Sequence, residues 1–381
     1  MLLLAATPAQ MGILDALAGM ATLTVSLIAG VWVDRLRRRP ILIATDLARA
    51  AILITIPIVA VFGRLSMAQL YVVAALTGTF AVFYNLADRS FLPTLVSREA
   101  LVEANSKIGV SDSLAEIAGP SLGGVLVQWL NPPLAILIDA LSYVFSAACA
   151  RLIRVVEPPP AAPATRQPVM QEIREGIQIL ANQPILRALA GSLGTTNFFG
   201  SFIGALYWLF LVRELDLPPA LVGVSIGVGG AGALLGALIA GRLTQQFGQG
   251  RILLATMLLW GAFAFVIPLA YWRGPWLAPV VMATQLLGDI PIAIYLINEV
   301  SLRQSIIPDR LLGRANASFE FVSQGMAPLG ALAGGVLGET IGVRPTLLIA
   351  AIGIALASLW IFLSPIPRLA RAGVASPEAL T

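Results

Sequence analysis

Gly30-Val-Trp-Val-Asp34-Arg35-Leu-Arg37-Arg38-Arg39-Pro40 decides how the rest of this sequence is read. It places four arginines within five residues, between two long stretches that are almost continuously apolar. Guanidinium groups are costly to bury in hydrocarbon, so the segment is expected to be a tight turn in the headgroup layer between two membrane-spanning helices. Short arginine-rich loops stay on the cytoplasmic side, so the same turn fixes the orientation of the chain.

The composition outside the turn agrees. Of 381 residues, 58% are hydrophobic and 12% charged, and the mean hydropathy is +0.87. A soluble domain carries about 25% charged residues. The expected fold is therefore all-α and polytopic, most of it in the membrane. The net charge is +4, with Lys107 the single lysine, and the basic residues gather in short loops. That pattern reads as topology and contact with membrane lipids, not as nucleic-acid binding. One cysteine, Cys149, and no histidine exclude a disulfide framework and a zinc site. No cofactor is called for, and no nucleophile–base set points to an enzyme. Residues 1–10 have no charged start and run straight into an apolar stretch, unlike a cleaved signal peptide.

Apolar runs of span length, roughly 20 residues, fall near 10–33, 41–62, 68–88, 108–130, 134–153, 186–212, 219–241, 252–271, 276–298, 315–338 and 345–364. With the arginine turn inside and the spans alternating, nineteen of the 24 basic residues lie inside. Arg64, Arg213, Arg273 and Arg344 lie outside, and Arg49 lies within a span. The expectation is eleven transmembrane helices, an outside N-terminus and a cytoplasmic C-terminus. Residues 1–155 form an N-terminal bundle of five helices, 186–364 a C-terminal bundle of six, and 365–381 a cytoplasmic tail. Between the bundles, 156–185 begins as a proline-rich extended linker. It continues as an amphipathic segment with Val169, Ile173, Ile177 and Leu180 on one face, expected on the membrane surface.

An internal repeat relates the two halves. A shift of 211 residues takes Gly30 to Gly241, Ile41-Leu42 to Ile252-Leu253, and Leu101, Ala104 and Asn105 to Leu312, Ala315 and Asn316. It also takes Gly123-Gly-Val-Leu126 to Gly334-Gly-Val-Leu337. A constant shift at four places implies two equivalent bundles in parallel orientation.

Gly-x-x-x-Asp-Arg-x-x-Arg-Arg in the arginine turn resembles the signature loop between the second and third helices of major facilitator superfamily transporters. In that family the aspartate meets the positive N-terminal end of a helix in the other bundle when the cytoplasmic side is closed. The resemblance thus makes Gly30, Asp34, Arg35, Arg38 and Arg39 a gating loop, with Asp34 facing a helix that begins near Arg314. Arg37 stands where the family usually has glycine, and the second copy has Gln245 in place of the aspartate. Gly119-Pro120-Ser-Leu-Gly123-Gly124 resembles the antiporter motif that marks exporters within the superfamily. Its proline bends the helix and its glycines open a groove for a neighbour. Phe91-Leu-Pro93 through Asn105, with Asp46-Leu-Ala-Arg49, resembles the branch that contains the enterobactin exporter and the macrolide efflux proteins.

Carboxylates inside spans are costly and therefore informative. Asp46 and Arg49, one turn apart, read as an ion pair; Glu299 and Glu320 lie near inner ends and read as hydrated or as part of the gate. Asp289, Glu116 and Asp139 are the candidates for a proton or a cationic substrate. Phe198, Phe202, Tyr207, Trp208 and Tyr295 could line an apolar cavity, with core packing as the alternative for each. The resemblance implies a bacterial inner-membrane exporter, a proton antiporter acting as a monomer on amphipathic small molecules such as drugs, macrolides or siderophores. A lipid or lysolipid translocator and a non-transporting scaffold are the alternatives. The repeat shift leaves the counterpart of 186–212 upstream of Met1, so the first helix of the family is expected to be missing.

Overall fold

In the computed structural model, the described residues are 4–96, 101–154, 157, 177–271, 274–307 and 312–369. They form α1 (Pro8–Arg35), α2 (Arg38–Val61), α3 (Met67–Leu95), α4 (Leu101–Leu130), α5 (Pro132–Leu152), α6 (Pro184–Leu209), α7 (Pro219–Phe247), α8 (Gln249–Ala264), α9 (Leu277–Ile306), α10 (Leu312–Gln324), α11 (Met326–Thr340) and α12 (Val343–Phe362). Among these residues, eight helical segments are long and apolar enough to cross a membrane: α2, α3, α5, α6 with the turn after it, α7, α9, Ser318–Thr340 and α12.

Local chemistry sets the ends. Thr7 and Gln10 close a capping box at the start of α1, with Pro8 in its first turn. Ser66 and Asn131 cap α3 and α5 through their side-chain oxygens. Two expected spans are interrupted. The run at 252–271 is helical only to Ala264, because Pro268 cannot donate a backbone bond. The run at 315–338 breaks at Gly325 into α10 and α11, where Pro328 leaves the carbonyl of Gln324 without its helical donor. Of the expected amphipathic segment, residues 177–182 are helical and Leu180 is buried against the second half; 158–176 lie outside the described residues.

Packing follows the repeat. In the first half α3 packs on α1 and α2, and α5 on α2; in the second α9 packs on α7 and α8, and α12 on α8. The contacts between halves are related the same way: α1 meets α11, and α4 meets α7. Water drives no association between apolar helices in a bilayer, so close backbone approach at small residues has to hold these crossings. Gly12 lies against Ala331 and Gly335, and its repeat counterpart Gly223 lies against Pro120 and Gly124.

One arrangement has no counterpart. α6 packs against both α11 and α12, with Gly330 and Gly334 seated on the backbone of Phe198 and Phe202. The repeat counterparts of those glycines, Gly119 and Gly123 on α4, meet nothing within 4 Å among the described residues.

Candidate functional site

Three glycines on one face of α7, Gly229, Gly232 and Gly236, let α9 approach it through Asp289 and the carbonyls of Leu286 and Ile290. A Cβ at Gly229 would collide with the Asp289 carboxylate, so only glycine there leaves room for it. Gly223, Gly227 and Gly230 on another face of α7 receive Pro120, Ser121 and Ile117 of α4. Glycine on both faces thins α7: Gly230 receives Ile117, next to Glu116 on α4, while the adjacent Gly229 receives Asp289 of α9, so only the α7 backbone separates the two crossings. Pro291, two residues on, removes a helical bond inside α9 at this level. The repeat counterpart of Asp289 is Gly78, which packs against Ala18, the counterpart of Gly229. The carboxylate belongs to one half only.

Asp289 also lines a cavity of about 240 Å³ enclosed by α6, α8, α9 and α12. Its walls include Tyr207, Trp260, Phe263, Thr284, Gln285 and Ile354. The Tyr207 hydroxyl is buried and has no hydrogen-bond partner among the described residues. The cavity is therefore lined mainly by apolar and aromatic residues, with Asp289, Gln285, Thr284 and Tyr207 as polar members of its wall.

Of the other aromatics considered from sequence, Phe198 and Phe202 stack with Phe199 at centroid distances of 5.1–5.4 Å. Phe202 is buried against Gly334, and Trp208 is half-buried against the core at that end of the second half. Tyr295 is fully buried. Asp139, on α5, is exposed and does not line the cavity. Trp260, Phe263 and Gln285 were not singled out in the sequence; they sit one or two turns apart on α8 or beside Asp289 on α9, but no pattern separates them from packing residues.

Of the antiporter-like motif, Pro120 and Gly124 lie at the α4–α7 crossing, while Gly119 and Gly123 face away from it, without neighbours among the described residues. The surroundings of Gly30 and the side chains of Asp34, Arg35 and Arg314 are not among those described, and neither is the contact expected of Asp34. The rest of the arginine turn is held by Glu157. Its two carboxylate oxygens accept from the backbone N–H groups of Arg38 (2.6 Å) and Arg39 (2.7 Å), at the start of α2. The Arg39 guanidinium donates to the carbonyls of Ala150 (3.0 Å) and Arg151, at the end of α5.

Buried charge is concentrated in two further places. Asp46 and Arg49 on α2 form the expected pair at 3.9 Å, and Arg49 also donates to the Phe80 carbonyl and faces the rings of Tyr84 and Tyr143. In the second half Arg303 pairs with Glu299 at 2.9 Å, donates to Asn316 at 2.8 Å and lies over the ring of Phe319. Glu299, read from sequence as hydrated or part of the gate, is only 1% exposed. Its partner one turn along the same helix is what makes that burial tolerable.

A family described as transmembrane secretion effector matches residues 1–380. The multidrug efflux pump Tap of Mycolicibacterium fortuitum is 27% identical over 375 residues, which cover 95% of this chain and 88% of that protein. The enterobactin exporter EntS of Escherichia coli is 26% identical over 312 residues, 81% of this chain and 71% of that one. Among solved structures, a mutant of the nucleoside transporter NupG superposes with a TM-score of 0.79 over 94% of this chain and 91% of that chain. At 12% identity that likeness speaks for the fold alone.

Proposed function

Because this chain belongs to the transmembrane secretion effector family of major facilitator transporters, it is a multi-pass membrane transporter and not an enzyme, and we propose that it exports amphipathic small molecules in exchange for protons. The observation that carries this reading is Asp289, which lines an aromatic cavity and lies across a glycine-thinned helix from the stretch of α4 that holds Glu116. Intramembrane carboxylates that line a cavity are the usual carriers of protons in membrane transporters. A scaffold that had lost transport could leave these positions apolar; a cavity reaching Asp289 favours a transporter. The efflux names of Tap and EntS favour export over import. The substrate belongs to the class that an apolar, aromatic pocket with one acid selects: lipophilic molecules, cationic ones preferred.

In this reading the chain crosses a bacterial inner membrane eleven times as a monomer, the N-terminus outside and the arginine turn in the cytoplasm. The halves are 1–155 and 186–364, joined by 156–185.

In everted vesicles with a pH-sensitive dye, Asp289→Asn is expected to abolish substrate-induced proton release, and Glu116→Gln to weaken it, while downhill substrate exchange continues. Full proton coupling in the double variant would move the coupling group elsewhere. Asp34→Asn should open the cytoplasmic rim, since an anion at a helix N-terminus contributes about 0.3–2 kcal/mol. Spin-label distances across the rim that do not change would remove Asp34 from the gate.

A further inference from the structure

At the end of the first half that carries the arginine turn, α2 and α5 enclose a second hollow, of about 700 Å³. Arg37, Arg39 and Arg151 line it, with Glu157 as the one acid, and Ile43 and Leu47 continue its wall along α2. Both Glu157 oxygens are already taken by backbone N–H groups. Arg39 is spent in part on two carbonyls of α5. Arg37 and Arg151 have no ion pair or hydrogen bond with any described residue. Among the described residues, three guanidinium groups thus meet one carboxylate, and two of the three have no partner.

The lower wall decides what kind of anion fits. α2 is a helix of membrane-crossing length, and Leu47, in the wall of the hollow beside Ile43 and Ala44, is 46% exposed on it. A hydrophilic anion such as free phosphate would satisfy the arginines and leave this apolar wall uncovered. An amphiphile with an anionic head and an acyl chain satisfies both. Basic pockets between transmembrane helices at the headgroup level recognise anionic lipid heads in this way.

We propose that the hollow between α2 and α5 is a binding site for an anionic phospholipid, its phosphate held by Arg37 and Arg151 and its acyl chain lying along Ile43 and Leu47. The bound head also neutralises the charge around Glu157, so it secures the point where the linker leaves α5 and touches the start of α2. This site is separate from the export cavity and does not depend on how that cavity is read.

The test uses the full chain, purified in detergent, with phosphatidylglycerol, phosphatidylcholine and inorganic phosphate as probes, and reads retained lipid by native mass spectrometry and thermal unfolding. Phosphatidylglycerol alone should be retained and should raise the unfolding temperature. Each arginine near the surface contributes about 1 kcal/mol to anionic-lipid binding, so Arg151→Gln should weaken retention about fivefold and Arg37→Gln with Arg151→Gln about thirtyfold. Arg187→Gln, on α6, should change nothing. The single variant keeps the test open if the double one does not fold. Equal retention of phosphatidylglycerol by the variants and the wild type would overturn the site. So would protection by inorganic phosphate, which would make it a soluble-anion site, and equal retention of phosphatidylcholine, which would make it a plain acyl groove.

Discussion

Arg303→Ala is expected to destabilise the second half by about 3–5 kcal/mol, because it strands the Glu299 carboxylate without its partner. Glu299 is 1% exposed, and Arg303 supplies its ion pair at 2.9 Å while also binding Asn316 and covering Phe319. Glu320, the other acid near Arg303, stands 3.9 Å away with its side chain 55% exposed, so water replaces that contact at little cost. The loss at Arg303 is thus mostly the penalty of one bare buried charge. Adding Glu299→Gln to Arg303→Ala should recover a large part of it. Unfolding midpoints in detergent would decide: an Arg303→Ala protein as stable as the wild type, or a double variant worse than the single one, would sink the account.

Gly330→Ala and Gly119→Ala form the second pair, two identical substitutions at repeat-related positions with opposite expected outcomes. A methyl group at Gly330 runs into the carbonyl of Phe198, backbone against backbone, and forced overpacking of this kind costs about 1–3 kcal/mol or more. At Gly119 the same methyl meets nothing among the described residues, and the change should stay within about 0.5 kcal/mol. Folded yield and thermal midpoints measure both. A harmless Gly330→Ala would dismiss the close packing of α6 on α11. Equal damage at the two positions would instead place a helix against Gly119 in the working protein.

Why was so much of the fold legible in the sequence, and so little of the site? The apolar runs marked where helices lie because span length is set by the bilayer and not by partners. The interruptions at Pro268 and Gly325 escaped that reading, since hydropathy averages over a missing backbone donor. Asp289 stood out as a lone acid in an apolar run, but its relation to Glu116 depends on glycines of α7 that belong to neither helix. Glycine announces that something comes close without saying what: Gly124 has a partner on α7, whereas Gly119 and Gly123 have none among the described residues. The aromatics divide for the same reason, Tyr207 facing the cavity and Phe202 and Tyr295 packed away from it. Glu157 drew no attention, because a proline-rich neighbourhood hides an acid whose role is to receive the first amides of a helix distant in sequence.

The two glycine crossings, Gly12 with Gly335 and Gly223 with Gly124, lie at the same end of the molecule, near the starts of α1 and α7 and the ends of α4 and α11. At the other end, among the described residues, α10 packs chiefly within its own half, on α6 and α11, and Lys107 to Glu116 of α4 is largely exposed. The crossings therefore act as the two bearings of an axle. At both crossings backbone meets backbone, and side chains tie the halves beside them: Arg213 donates to the Ala6 carbonyl, and Gln128 accepts from the Ala220 N–H. Pinned at the bearings, the halves retain one cheap motion, a splaying of the arginine-bearing end.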